Sequence, residues 1–200
     1  MELLLVRHAL PDRVERDDGT PADPGLSARG RDQADALAAF VAGGRPPPVA
    51  VYTSPMRRAV ATAEPVAARI GVDVQVVDDL AEFDRDAGSY VPIEELRASG
   101  HPLWTAMTDG SYWESIDLAA FQAEVTTAVE KIIEARAGDS VMVVTHGGVI
   151  NVYVAGLLGI GAAVIFDPAY ASISRILASR GGRRAVGSLN ETGHLRALSP

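Results

Sequence analysis

Residues 3–11 read LLLVRHALP. Four aliphatic side chains in a row suit a strand buried on both faces, the kind found in the middle of a parallel sheet. Pro11 cannot continue the ladder and marks the end of the strand. Arg7 and His8 therefore stand where a buried strand, residues 2–7, reaches the surface. A second stretch, SVMVVTHGGVI at residues 140–150, repeats the pattern: a Val/Met run ends in His146 and two glycines.

Working outward, Leu26, Ala34, Leu37, Ala38 and Val41 recur at helical spacing over 26–42, and Gly43-Gly44 closes the helix. RPPP at 45–48 is a stiff connector, and 49–53 is a short strand. Ser54 and Pro55 read as N-cap and first residue of a helix. Its apolar face is Met56, Ala59, Val60, Ala63, Ala67 and Ile70, and Gly71 ends it. Residues 72–77 alternate as a strand. Residues 81–116 are irregular by pattern, with a short helix opening at Pro92 and the aromatics Tyr90, Trp104, Tyr112 and Trp113. A helix carrying Leu118, Phe121, Val125, Val129 and Ile132 follows and ends at Gly138. After the strand 140–145 comes an apolar helix over about 148–159, then a hairpin turning at Gly181-Gly182. Strands alternating with helices predict an α/β three-layer sandwich. Its central sheet is mostly parallel, of about six strands, with helices on both faces. No repeat or linker is visible, so residues 1–200 read as one domain, with an excursion at about 81–116 covering the site.

The chain has 200 residues, 48% hydrophobic and 22% charged, the profile of an ordinary globular protein. No stretch approaches the length of a membrane span, and no signal peptide precedes the first strand. The absence of cysteine excludes disulfides and thiolate metal sites and suits a cytoplasmic protein. A net charge of −8 argues against a nucleic-acid partner. It is compatible with a small anionic ligand, since a few arginines make a local positive pocket on an acidic protein.

In α/β sheets ligands bind beyond the carboxyl ends of the strands. His8, Arg7 and His146 lie at that edge. Arg57 and Arg58 open the helix after the strand 49–53, and Glu82 follows the strand 72–77. Gly147-Gly148 opens another helix and lets the backbone approach a ligand. An arginine in the first turn of a helix opposes the macrodipole, and a bound anion relieves that conflict. Two imidazoles, guanidiniums and a helix N-terminus describe a site for a dianionic phosphoryl group. A neutral imidazole can attack phosphorus, arginines can stabilise the equatorial oxygens, and a carboxyl group can protonate the leaving oxygen. No His-x-x-x-His or His-x-His spacing points to a metal. Each of these residues alone reads more simply as structural. Arg57 reads as a surface residue, His101 as a loop residue and His194 as C-terminal packing.

Taken in order, the motifs resemble the histidine phosphatase superfamily, also called phosphoglycerate mutase-like. LVRHA matches the family's strand-Arg-His-Gly opening, with Ala9 in place of the glycine. LSARGRDQA at 26–34, SPMRRAVATA at 54–63, LAE at 80–82 and VVTHGGVI at 143–150 match its later landmarks. The resemblance implies a phosphoglycerate mutase-like fold and a phosphatase acting on a small phosphorylated substrate, with no metal and no cofactor. It implies that His8 is the phosphorylated nucleophile and Glu82 the proton donor. It further implies that Arg7, Arg58, His146 and Gly147 hold the phosphoryl group, the register selecting Arg58 over Arg57. Two features depart from the family pattern. Ala9 costs little if its φ is negative and shifts the loop if it is positive. EFDRDAG lacks the family's usual sequence after the acid, which leaves Asp84 and Asp86 as further candidates. Mutase-type phosphoryl transfer and a non-catalytic phosphate-binding protein are the alternatives. The length and the Pro-interrupted excursion favour hydrolysis.

Overall fold

In the computed structural model residues 1–44, 46–161 and 164–198 are described. Arg45, the start of the expected connector, and the last two residues of the expected domain lie outside them. Strand β1 (Glu2–Arg7) runs parallel to β6 (Ser140–Thr145), with Leu3 opposite Val141 and Arg7 opposite Thr145. Beyond β6 lie β3 (Ala50–Thr53) and β4 (Val74–Val76), also parallel. On the other side of β1, β7 (Ile173–Ala178) and β8 (Arg184–Glu191) form the expected hairpin and run antiparallel. The six-stranded order is β4-β3-β6-β1-β7-β8. The sheet is thus mostly parallel, as the alternation of elements predicts.

The apolar runs fill both faces because side chains alternate along a strand. Leu4 and Val6 of β1, with Met142 and Val144 of β6, face α1 (Ala28–Ala42) and α2 (Arg57–Ile70) through Leu37, Val41, Ala59, Ala63 and Val66. Leu3, Leu5, Val141 and Val143 face the opposite layer. There they meet Val125, Val129 and Ile132 of one helix and Ile150 and Val154 of another, which makes the third layer of the sandwich.

Two short strands lie outside this sheet. β2 (Val14–Glu15) pairs antiparallel with β5 (Ser89–Tyr90), so the loop after β1 is laced to the 81–116 excursion. Arg16 N–H donates to Gly88 O at 2.9 Å and Ala22 N–H to Ala87 O at 2.8 Å, extending the lacing. The excursion is more regular than its pattern suggests. It holds α3 (Ile93–Ser99), with Pro92 at its N-cap as expected, and also α4 (Pro102–Asp109) and a 3₁₀ turn at Ser111–Ser115. His101 is not a free loop residue: its ring nitrogen accepts from Leu103 N–H and caps α4. Helix α5 (Leu118–Ala135) and helix α6 (Gly147–Leu158) are the two on the second face.

The start of α2 corrects the sequence reading. The helix begins at Arg57, with Met56 rather than Ser54 at the N-cap and no side-chain cap of its own. A distant residue supplies one: the Asp23 carboxylate accepts from Arg57 N–H at 3.0 and 3.1 Å. Ser54 is released for another partner. At α1 the N-cap is Ser27, whose hydroxyl accepts from Gly30 N–H. Gly30 is required there, because a Cβ would lie 2.0 Å from the Leu10 carbonyl oxygen.

Candidate active site

The register of β1 against β6 sets the site. Arg7 opposite Thr145 makes His8 and His146 neighbours one residue further on, and His8 N–H donates to Thr145 O at 2.8 Å. Their ring centroids are 5.1 Å apart. Both rings are buried, His8 to 2% and His146 to 0% exposure. Burial first, then the guanidiniums of Arg58 and Arg7, push the pKa of His8 well below the usual histidine range. Burial, Arg58, His8 and Arg7 do the same to His146. Both imidazoles are therefore neutral at pH 7.

For a neutral histidine, the partner of one nitrogen fixes the proton on the other. His8 Nδ1 donates to Ala9 O at 2.8 Å, which leaves the lone pair on Nε2. His146 has the opposite arrangement. Its Nε2 lies 2.7 Å from Ser54 Oγ, which itself accepts from Met56 N–H at 3.3 Å. The Ser54 hydroxyl proton then points to Nε2, and His146 carries its own proton on Nδ1. That Nδ1 is buried and has no partner. One imidazole thus offers a nucleophilic lone pair and the other a hydrogen-bond donor.

Arg58 is 1% exposed, and its neighbour Arg57 is on the surface. Arg58 Nη2 donates to Asp84 Oδ1 at 3.2 Å, while Nε and Nη1 have no hydrogen-bond partner. Arg7 donates through Nη1 to Pro168 O, and its Nε is likewise buried without a partner. Leaving buried donors unsatisfied costs on the order of 1–3 kcal/mol each. An anion with several oxygens is the kind of partner that clustered donors of this type bind. Each guanidinium lies against an aromatic face: Arg7 Cζ is 3.9 Å from the Tyr170 ring centroid and Arg58 Cζ 4.6 Å from that of Tyr90. The two tyrosine hydroxyls are 3.2 Å apart, closing a roof over His8.

Glu82 is 7% exposed. Its carboxylate accepts from Gly148 N–H at 2.8 Å, at the N-terminus of α6. Burial and the charge of Asp84 nevertheless push its pKa up to about 7, against the opposing pull of that N–H and of Arg58. Burial also raises Asp84, although Arg58 draws it back. A carboxyl group at about 7 can hold a proton and give it up near neutral pH. Gly148 makes this contact possible: a Cβ there would fall 2.3 Å from Glu82 Oε1 and 2.6 Å from the Phe83 ring. At Gly147 a Cβ would lie 3.7 Å from Arg7 Nε, in ordinary contact.

The structure thus brings together Arg7, His8, Arg58, Glu82, His146 and Gly147. Asp84 joins them through Arg58, whereas Asp86 is exposed. Ala9 is fully buried against Leu26, Ala34 and Ala171 and is not among the residues of positive φ. The loop therefore has its alanine without backbone strain. His194 packs as expected, its ring 5.2 Å from Phe40, and its Nε2 donates to Ala171 O at 2.9 Å. The sequence reading gives Ser54 only a capping role and does not name Tyr170. Tyr170 had a legible signal: an antiparallel neighbour of β1 must begin at the same edge where β1 ends. Among the described residues no group of three or more His, Asp or Glu is placed to hold a metal ion. No described helix is long and apolar enough to cross a membrane.

Comparison with known proteins matches residues 3–192 to the histidine phosphatase superfamily, branch 1. A bifunctional protein of Mycobacterium tuberculosis is 32% identical over 96% of this chain and 54% of its own length. The chain thus spans about half the length of the curated relatives it matches most fully. The human 6-phosphofructo-2-kinase/fructose-2,6-bisphosphatase 4 is 30% identical over 68% of the chain and 28% of its own length. Among solved structures, YhfR of Bacillus stearothermophilus superposes with a TM-score of 0.76 at 20% identity, covering 98% of this chain and 99% of that one. Phosphoserine phosphatase of Entamoeba histolytica, solved with 3-phosphoglyceric acid, gives 0.74 at 21% identity over 97% and 98%.

Proposed function

The chain belongs to the histidine phosphatase superfamily, and from that premise we propose that it hydrolyses a phosphate monoester through a phosphohistidine on His8. The observation that carries this is the set of four buried donors without partners, Arg7 Nε, Arg58 Nε and Nη1, and His146 Nδ1, around an imidazole whose lone pair is free. Such a set is costly to keep unless an anion completes it.

In the first step His8 Nε2 attacks phosphorus and the bond from phosphorus to the ester oxygen breaks. Glu82 gives its proton to the leaving oxygen. Arg7, Arg58 and His146 donate to the equatorial oxygens, and the fixed positions of the two guanidiniums against Tyr170 and Tyr90 spare reorganisation during transfer. In the second step water attacks phosphorus, the P–N bond breaks, and the Glu82 carboxylate accepts the water proton. The Nδ1–H bond to Ala9 O orients His8 and supports the charge that forms on its ring. No metal or cofactor takes part in this scheme. Residues 1–200 act as one domain, with 81–116 as the cover of the site.

Hydrolysis of p-nitrophenyl phosphate in the presence of a chelator tests the reading. Turnover by the wild type that His8→Ala abolishes supports it. Equal turnover by the two proteins overturns it.

A further inference from the structure

The charges around the phosphoryl site are distributed in a way that bears on the substrate. Each site guanidinium already has carboxylates beside it. Arg58 lies 3.2 Å from Asp84 and 3.9 Å from Asp23. Arg7 lies 3.6 Å from Asp167, and the charge of Glu94 also reaches it. The open donors of Arg7, Arg58 and His146 suffice for one phosphoryl group, and the flanking carboxylates leave little net positive charge for a second anionic group.

The roof adds to this. Residues 10–25 hold five carboxylates and two arginines, and residues 81–116 hold seven carboxylates and two arginines. Their net charge of −8 equals that of the whole chain, so the rest of the chain is balanced. These two segments are the ones laced together by β2 and β5, and they place Tyr90 over Arg58 and 6.4 Å from His8. Three of their four arginines are engaged within the roof: Arg13 with Glu15 and Glu95, Arg16 with Asp18, and Arg97 over Trp104.

Beside the acidic pair stands an aromatic wall. Phe83 meets Trp113 and Tyr112 edge to face at 5.3 and 5.9 Å. Tyr112 lies near enough to Asp84 and Glu82 that their charges, after burial, help push its pKa up to about 12. Aromatic rings next to carboxylates favour a cation and disfavour an anion.

We infer that the site selects phosphate monoesters whose alcohol part carries no negative charge, with an alkylammonium group preferred. This rests on the phosphatase reading above. It predicts discrimination against phosphoglycerate-like compounds, whose carboxylate would face the acidic roof.

The test is competition against p-nitrophenyl phosphate, whose own turnover checks the phosphatase reading separately. Inhibition constants are measured for phosphocholine and 3-phosphoglycerate at pH 7 and low ionic strength. We expect phosphocholine to compete at least about tenfold more tightly, with the gap narrowing as salt is added, because exposed charges are screened. Glu94→Gln removes one roof carboxylate outside the catalytic set. It should tighten 3-phosphoglycerate about threefold relative to phosphocholine, with p-nitrophenyl phosphate still hydrolysed. Equal inhibition by the two compounds, or tighter binding of 3-phosphoglycerate, while p-nitrophenyl phosphate is still hydrolysed, overturns the inference and leaves the phosphatase reading standing. Absence of p-nitrophenyl phosphate turnover removes both.

Discussion

Replacing Glu82 with glutamine should make the protein more stable and a poorer catalyst, most of all for one class of ester. The carboxyl group has its pKa raised from 4.5 to about 7, chiefly by burial and by Asp84. The folded state therefore binds the Glu82 proton more tightly than the unfolded state does. Its stabilising effect is complete below about pH 4.5 and is lost as pH rises toward 7. The difference of about 2.5 pH units corresponds to ~3 kcal/mol at pH 8. Glutamine carries no charge, keeps an oxygen to accept from Gly148 N–H, and escapes that loss. Its melting temperature should match wild type near pH 4.5 and exceed it by about 6–12 °C at pH 8. Catalysis should move the other way. An alkyl ester such as glycerol 2-phosphate needs a proton on its leaving oxygen, and kcat/KM, which reports phosphoryl transfer to His8, should fall about 10²–10⁴-fold. p-Nitrophenolate leaves without one, so kcat/KM for its ester should fall about tenfold or less, while kcat falls for both esters because Glu82 is also the base of the shared second step. Thermal melts at the two pH values and steady-state kinetics on the two esters read all of this. Equal melting shifts at both pH values, or an equal loss of kcat/KM on both esters, would refute the assignment of Glu82 as a buried acid.

Ser54→Ala removes the hydroxyl that sets the tautomer of His146. kcat/KM should fall about tenfold, the worth of one hydrogen bond, and nitrogen NMR should show His146 losing its Nδ1–H form, which Ser54→Thr restores. Gly148→Ala places a Cβ against Glu82 and Phe83. It should destabilise the fold by about 1–3 kcal/mol in denaturant titrations and lower alkyl-ester turnover with it. Ala9→Gly, which restores the family residue, should lower stability by about 1 kcal/mol without raising activity, because Ala9 is buried at ordinary φ. Inorganic phosphate should raise the melting temperature of the wild type, and by less in Arg58→Met, since an anion that binds only the folded state stabilises it.

The sheet was legible because β1 and β6 are apolar on both faces, a pattern only a covered strand tolerates. The two histidines were legible for the same reason: a buried strand that ends in a polar side chain places it at the sheet edge. Ser54 misled because Ser-Pro fits a helix N-cap by local chemistry, while its partner is set by pairing of β3 with β6, far away in sequence. Asp23 shows the complement, a cap for α2 supplied from 34 residues upstream. Tyr170 and Asp167 lie in a stretch with no motif and reach the site only because β7 runs antiparallel to β1. Helix α4 escaped the pattern because none of its residues is buried and its cap is a histidine. The roof was legible as composition, an excess of carboxylates, and not as geometry, since its two segments meet through a ladder only two residues long.

The central claim is a covalent phosphoryl group on His8. It is tested most directly by mixing enzyme with p-nitrophenyl phosphate, quenching in alkali, where phosphohistidine survives, and measuring the intact mass and the modified peptide. The account predicts one added phosphoryl group, carried by the peptide containing His8 and absent from His8→Ala. Turnover with no trapped phosphoryl group on wild type and on Glu82→Gln alike, or a phosphoryl group mapped to His146, would contradict it.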